Sequence, residues 1–195
     1  RDVLTGFACG ARFYDSEVEV LISTVGSFTD VNTCKEMAVS MYDQGVDIIL
    51  NLAGSGTGIW SALEEQHFYG IGCGANQNSM SPYIVATAGF VLTNLIYQQC
   101  QQIIDGTWTS QNYWGDMKDG IVYLDELSAN CAEGTQEKID EAYAKIESGE
   151  LKIFAGPISD NTGAERVPAG SEMTDAELLA FDWFVDNIVG TVPAA

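Results

Sequence analysis

The segment 46–73 constrains this chain more than any other. Val46-Asp47-Ile48-Ile49-Leu50 is a short, nearly continuous apolar run, the pattern of a strand covered on both faces. The chain then passes through Ala53-Gly54-Ser55-Gly56-Thr57-Gly58 into a helical stretch over 59–66 and emerges in Tyr69-Gly70-Ile71-Gly72-Cys73. Strand, glycine turn, helix and strand compose a βαβ unit, which calls for a parallel sheet with a right-handed crossover. The expected fold class is therefore α/β, a parallel sheet flanked by helices.

The rest of the chain extends the alternation. Val3, Leu4, Phe7, Ala8 and Ala11 recur at helical spacing, and Val18, Val20, Leu21 and Ile22 form a strand-like run that ends at Ser23-Thr24-Val25-Gly26. Asp30 is placed to cap a second helix, whose apolar positions Val31, Cys34, Ala38, Met41 and Tyr42 lead to a stop at Gln44-Gly45. Beyond Pro82, residues 83–87 read as a strand and 88–104 as a long apolar helix ending at Asp105-Gly106. The stretch 107–120 is aromatic and turn-rich, 121–124 is a strand, and 135–147 is an amphipathic helix that stops at Ser148-Gly149. A hairpin is expected around Asp160-Asn161-Thr162-Gly163. Thr174, followed three residues later by Glu177, gives a final helix a capping-box start.

Composition removes several classes of function. With 195 residues, 46% of them hydrophobic, the chain can bury a core without a metal or disulfide staple. Its 28 acidic and 8 basic residues give a formal net charge of −20, which repels a phosphate backbone and an anionic membrane surface alike. No nucleic-acid partner is expected. The five cysteines, Cys9, Cys34, Cys73, Cys100 and Cys131, have no C-x-x-C spacing, and His67 is the one histidine, so no metal site is expected and the cysteines read as packing residues or free thiols. No run is long and apolar enough to span a bilayer. The chain opens at Arg1-Asp2-Val3 without a signal peptide, which leaves a cytosolic protein or one whose leader has been removed.

The glycine turn Gly54-Ser55-Gly56-Thr57-Gly58 stands after a strand and before a helix, where free backbone N–H groups can hold an anion or a polar ligand. It lacks the lysine-hydroxyl pair of a phosphate loop and the G-x-G-x-x-G dinucleotide spacing, so no nucleotide cofactor is expected. Catalytic patterns are missing as well. His67 sits in Glu64-Glu65-Gln66-His67 as a surface residue, no serine stands in a G-x-S-x-G context, and the acids are scattered. The expectation is a binding protein and not an enzyme. Phe28 and Trp60 are the aromatics nearest the carboxyl ends of the expected strands, where open α/β sheets bind ligands. Core packing competes with stacking for both, more strongly for Trp60.

Four segments occur in a telling order: Val25-Gly26-Ser27-Phe28-Thr29-Asp30, Met41-Tyr42-Asp43-Gln44-Gly45-Val46-Asp47-Ile48-Ile49, the glycine turn 53–58, and Tyr69-Gly70-Ile71-Gly72. Asp119-Gly120-Ile121-Val122 and Phe154-Ala155-Gly156-Pro157-Ile158-Ser159-Asp160-Asn161-Thr162-Gly163 follow. Together they resemble the second half of the basic membrane protein family of substrate-binding lipoproteins. The resemblance implies a type I periplasmic-binding-protein fold, in which two Rossmann-like lobes close on a small ligand and deliver it to the permease of an ABC importer. It also implies an extracytoplasmic place, at the cell surface or in the periplasm, with a lipid anchor on a leader absent from this chain. Characterised relatives bind purine nucleosides. Residues 1–87 and 120–195 would then form the second ligand-binding lobe, and 88–119 would pack beside a first lobe that this chain lacks.

Two departures from that family pattern stand at the expected cleft. Nucleoside-binding members read Gly-Val-Asp-x-Asp-Gln after the third strand, whereas this chain has Gly72-Cys73-Gly74-Ala75-Asn76-Gln77. Their lysine a few residues into the next helix is absent from Thr87-Ala88-Gly89-Phe90-Val91. The cleft wall expected here comprises Phe28, Asn51, Gly54, Ser55, Gly56, Gly74 and Asn76. Phe28 would stack on the ligand, Asn51 and Asn76 would hydrogen-bond it, and the glycine turn would offer N–H groups. A ligand-sensing regulatory or signalling module of the same fold is the alternative.

Overall fold

A computed structural model describes residues 2–54 and 56–190. The chain begins with α1 (Asp2–Tyr14), β1 (Val20–Leu21), α2 (Val31–Asp43) and β2 (Ile48–Leu50). It continues through α3 (Gly56–Gln66), β3 (Tyr69–Gly74), β4 (Ile84–Phe90), α4 (Thr93–Ile104) and β5 (Val122–Leu124). The last elements are α5 (Thr135–Ser148), β6 (Ile158–Ser159), β7 (Glu165–Val167), α6 (Asp175–Leu179) and β8 (Ile188–Val189). Two compact units result, one formed by Val25–Glu141 and the other by Arg1–Thr24 with Ala142–Ala195.

The first of these units is built on a sheet in the order β2-β3-β4-β5. β2, β3 and β4 run parallel, with Ile48 opposite Tyr69 and Leu50 opposite Ile71. That is the expected βαβ unit, with α3 as its crossover. α2 starts where Asp30 caps it, the carboxylate accepting the Thr33 N–H at 3.0 Å. Gly45, at φ +91, turns the chain out of that helix and into β2. α2 and α3 cross closely because Gly58 has no side chain: a Cβ there would lie 2.1 Å from the Val31 carbonyl oxygen. Cys34 and Ala38 of α2, Ile59, Trp60, Ala62 and Leu63 of α3, Ile49, Ile84 and Phe68 form the core. Burial of each large apolar side chain stabilises the fold by about 1.5–3 kcal/mol.

One feature of this sheet departs from the sequence reading. The apolar run 88–104 is not one helix: Ala88, Gly89 and Phe90 belong to β4 and pair antiparallel with Leu124, Tyr123 and Val122, so the sheet is mixed and α4 starts only at Thr93. Glycine at 89 permits the pairing, because a Cβ would stand 2.5 Å from the Tyr123 ring and 2.7 Å from the Gly74 carbonyl oxygen. The connection from β3 to β4 carries no helix, as the sequence reading has it. It is held by Thr87, which is fully buried; its hydroxyl donates to Asn78 Oδ1 at 2.7 Å and accepts the Gln77 N–H at 3.2 Å. Those bonds offset the cost of burying a hydroxyl in a strand.

The other unit pairs β1 with β8 in parallel and β6 with β7 in an antiparallel hairpin. The strand expected over 18–22 shortens to two residues. Ala8 and Cys9 of α1 pack with Ile158, Val167, Phe184, Val185 and Ile188. The hairpin falls where the Asp160-Asn161-Thr162-Gly163 turn predicts it, with Gly163 at φ +87. Thr174 and Glu177 form the full capping box at the start of α6.

Candidate functional site

The carboxyl ends of β2 and β3 carry the residues singled out from the sequence. Asn51 follows β2 directly, and its N–H donates to the Ile71 carbonyl at 2.9 Å, extending the parallel ladder by one residue. The side chain is buried at 3% exposure. Its Oδ1 accepts the Ala53 N–H at 2.9 Å, an Asx turn that bends the chain toward α3. Because an N–H must point at an oxygen, that bond also fixes which end of the amide is which.

Gly56 opens α3. A Cβ there would lie 2.6 Å from Asn51 Nδ2 and 2.7 Å from Trp60 Nε1, so two nitrogen donors crowd the space a side chain would fill. Helical side chains lean toward the helix N-terminus, and Trp60, one turn on, therefore places its indole Nε1 against Gly56. The ring is core, at 3% exposure and packed with Leu63 and Ile84 in one cluster. Its Nε1 nevertheless has no hydrogen-bond partner among the described residues. The sequence offered one cue to this atom, tryptophan four residues after a glycine at a helix start.

Phe28 is 78% exposed, an unusual position for a ring that size. It lies beside the turn: a Cβ at Gly54 would meet the Phe28 carbonyl oxygen at 3.0 Å and the Phe28 Cβ and Cδ1 at 3.2 Å. Phe28 is thus brought to Gly54, and Asn51 to Gly56. Ser55 lies outside the described residues. Gly74 ends β3 at φ +97, faces Gly89 across the ladder, and has no atom near its absent Cβ. Asn76 is exposed, and its Oδ1 accepts the Asn78 N–H at 2.9 Å. Gly74 closes β3 and Asn76 follows it. They belong to the neighbouring strand end of the same sheet.

The chemistry available at this wall is hydrogen-bond donation and stacking. Among the described residues no group of three His, Cys, Asp or Glu side chains could hold a metal ion, and no helix is long and apolar enough to cross a membrane. All five cysteines are free, with Cys9 and Cys34 buried. His67 is exposed, at φ +59, and its ring lies 5.6 Å from that of Tyr83. It stands at the amino ends of the strands beside a depression of about 590 Å³ lined by Tyr42, Asp47 and Tyr69.

A family profile described as ABC transporter substrate-binding protein PnrA-like matches residues 1–155. A purine-binding protein of Brucella abortus is 29% identical over 97% of this chain and 54% of its own length. A putative ABC transporter glucose-binding protein of Haloferax volcanii is 23% identical over 98% of this chain and 46% of its own length. Basic membrane protein D of Borreliella burgdorferi is 30% identical over 66% of the chain. The chain spans about half the length of the first two. Among solved structures, an ABC transporter solute-binding protein from Aeropyrum pernix superposes with TM-score 0.65 over 90% of this chain and 55% of its own, at 17% identity. A transcriptional activator of the comK gene from Bacillus halodurans gives TM-score 0.65 over 74% and 52%, at 23% identity. Those likenesses establish the fold, that of the periplasmic-type solute-binding proteins.

Proposed function

The chain belongs to the family of PnrA-like ABC transporter substrate-binding proteins, and from that premise we propose that it supplies one ligand-binding lobe of an extracytoplasmic solute receptor serving an ABC importer. The observation that carries the reading is the exposed Phe28 ring beside Gly54, next to the Asn51 and Gly56 donors at the carboxyl ends of the parallel strands. A ring and a few fixed polar groups at a strand-end crevice are what a small planar or polar ligand requires. Binding and closure would be the whole activity, without covalent chemistry.

The ligand class is small and polar, with purine nucleosides within it. The names of two relatives, purine-binding and glucose-binding, support that breadth. Closure needs an opposing surface. α4 is the part of this chain suited to lie against one, since it buries no residue while exposing Ile96, Tyr97, Ile103 and Ile104. Residues 88–119 would accordingly pack beside a first lobe, with the permease as the further partner and a lipid anchor upstream.

Calorimetry of the full-length gene product against purines, nucleosides and glucose tests the reading. Binding that Phe28→Ala weakens by about tenfold or more, about 1.4 kcal/mol, is the expected result. Unchanged affinity in that variant would remove Phe28 and this wall from the site. A sensory module of the same fold is the second reading, supported by the likeness to the Bacillus halodurans activator in fold alone. The complete reading frame separates the two: a lipid-acceptor cysteine upstream favours uptake, an adjoining DNA-binding segment favours regulation.

A further inference from the structure

From the amino ends of the parallel strands, we propose a second binding site, separate from the wall at the carboxyl ends: the depression beside the ends of α2 and α3 takes an organic cation of the alkylammonium class, held by tyrosine rings and two carboxylates.

Chain order puts rings and acids there together. α2 ends on Tyr42 and Asp43, Gly45 turns the chain at φ +91, and Asp47 stands just before β2. α3 ends at Gln66, and His67 and Phe68 lead straight to Tyr69, the first residue of β3. The Tyr69 N–H donates to the Asp47 carbonyl at 3.1 Å, which sets the two segments side by side. Tyr42, Asp43, Asp47, His67, Phe68 and Tyr69 line a depression of about 590 Å³, a size suited to a small molecule. Phe68 is buried, and the exposed Tyr42 ring lies 5.1 Å from it. His67 takes the left-handed position just past α3, φ +59, which glycine usually fills. Its ring lies 5.6 Å from that of Tyr83, and Tyr83 lies 6.2 Å from Tyr69.

The charge at this end has one sign. Asp43 and Asp47 are exposed, and neither carboxylate is ion-paired among the described residues. The carboxyl end of a helix carries the negative end of its dipole and favours a cation. α2 and α3 both finish here, and neither has a basic residue in its last turn. No lysine or arginine is among the described residues that line the depression. The rings decide which cation fits. A hard metal ion needs oxygen ligands closed around it, and no group of three His, Cys, Asp or Glu among the described residues could hold one. An alkylammonium group gains instead from the negative faces of aromatic rings, as in the aromatic cages that recognise quaternary ammonium ligands. β3 runs from Tyr69 here to Gly74 at the wall, about 17 Å along the strand. The two sites therefore stand or fall separately.

The test compares choline with 3,3-dimethylbutanol, which has the same shape without the charge. Both are titrated against the full-length gene product by ligand-observed NMR, in about 0.15 M salt so that diffuse attraction to a chain of net charge −20 is screened. Choline should bind with a Kd on the order of 1 mM, about fivefold or more tighter than the alcohol. Asp47→Asn removes one charge at an exposed position and Tyr42→Leu removes one ring; each should weaken choline about threefold or more, and Asp47→Asn should leave the alcohol unchanged. N-acetyl-trimethyllysine methylamide, run beside choline, tells a partner's side chain from a free solute, the tighter binder naming the source. An alcohol that binds as tightly as choline overturns the proposal, and so does the lack of any binding at about 20 mM. Choline binding that both substitutions leave intact also overturns it, since that is attraction spread over the acidic surface. Should Tyr42→Leu disturb the fold, Asp47→Asn decides alone. Each of these failures leaves the solute-receptor reading, which rests on the other strand ends, in place.

Discussion

Arg166 Nε donates to Asp160 Oδ2 at 2.6 Å, and the carboxylate it meets is 2% exposed. The other oxygen accepts the Thr162 hydroxyl at 2.6 Å and the backbone N–H groups of Thr162 and Ala164 at 2.9 and 3.1 Å. One buried side chain thereby closes the β6–β7 hairpin, while the Arg166 guanidinium lies 5.8 Å over the Trp183 ring. The Thr162 hydroxyl first, then Arg166, hold the Asp160 carboxyl well below the usual carboxylate range.

That depression sets an acid dependence. The folded chain favours the ionised form, so Asp160 adds stability at any pH above its unfolded value near 3.9 and loses it as pH falls toward the lower folded value. Wild type should therefore exceed Asp160→Asn in urea midpoint by a constant margin above about pH 5, and the margin should shrink below about pH 4. Paired urea melts across this range check it, and a margin that stays flat into acid would show that the charge is not what the hairpin uses.

Two glycines in helices should answer to alanine with opposite signs. Gly10 in α1 has open space where a Cβ would go, so Gly10→Ala should stabilise by about 0.5–1 kcal/mol through the lost backbone freedom of the unfolded chain. Gly58 in α3 has the Val31 carbonyl oxygen 2.1 Å from that point, and Gly58→Ala should destabilise by about 1–3 kcal/mol or more as α2 is pushed away. Thermal or urea denaturation of the two variants separates packing from propensity.

Leu63 is fully buried between α3 and the sheet, and a Cβ added at Gly70 would stand 2.5 Å from its Cδ1. Leu63→Ala should cost about 2–5 kcal/mol. Restoring volume from the other side with Gly70→Ala in the same chain should recover part of the loss, whereas Gly70→Ala alone should destabilise. A double-mutant cycle with no coupling would contradict the packing described.

Thiol reactivity reports both burial and the face of α4. Burial pushes the Cys9 and Cys34 thiols up, which keeps them as unreactive thiols, while Cys100 is exposed on α4. Iodoacetamide should label Cys100 first and Cys34 only on unfolding, read by peptide mass spectrometry of the 195-residue chain. In the full-length gene product Cys100 and the α4 amides should become protected if residues 88–119 pack beside a first lobe; equal labelling in both would remove that placement.

What the sequence determined by itself are the features set by neighbours within a few residues. The Asp30 cap, the turn at Gly45, the Thr174–Glu177 capping box, the hairpin at Gly163 and the βαβ unit around β2, α3 and β3 all follow from spacing and turn chemistry. The expected wall residues Phe28, Asn51, Gly54 and Gly56 could be named on the same grounds. Tertiary structure alone decided the rest. Residues 88–90 are as apolar as the helix that follows them, and only pairing with Val122, Tyr123 and Leu124 makes them a strand. In the sequence Asn51 reads as a ligand-bonding residue and Trp60 as a ring more suited to the core than to stacking; long-range packing of α3 on the sheet sets both nitrogens against Gly56. Periodicity records which face of an element is buried. The direction of one N–H depends on what that face is packed against, which no local pattern contains.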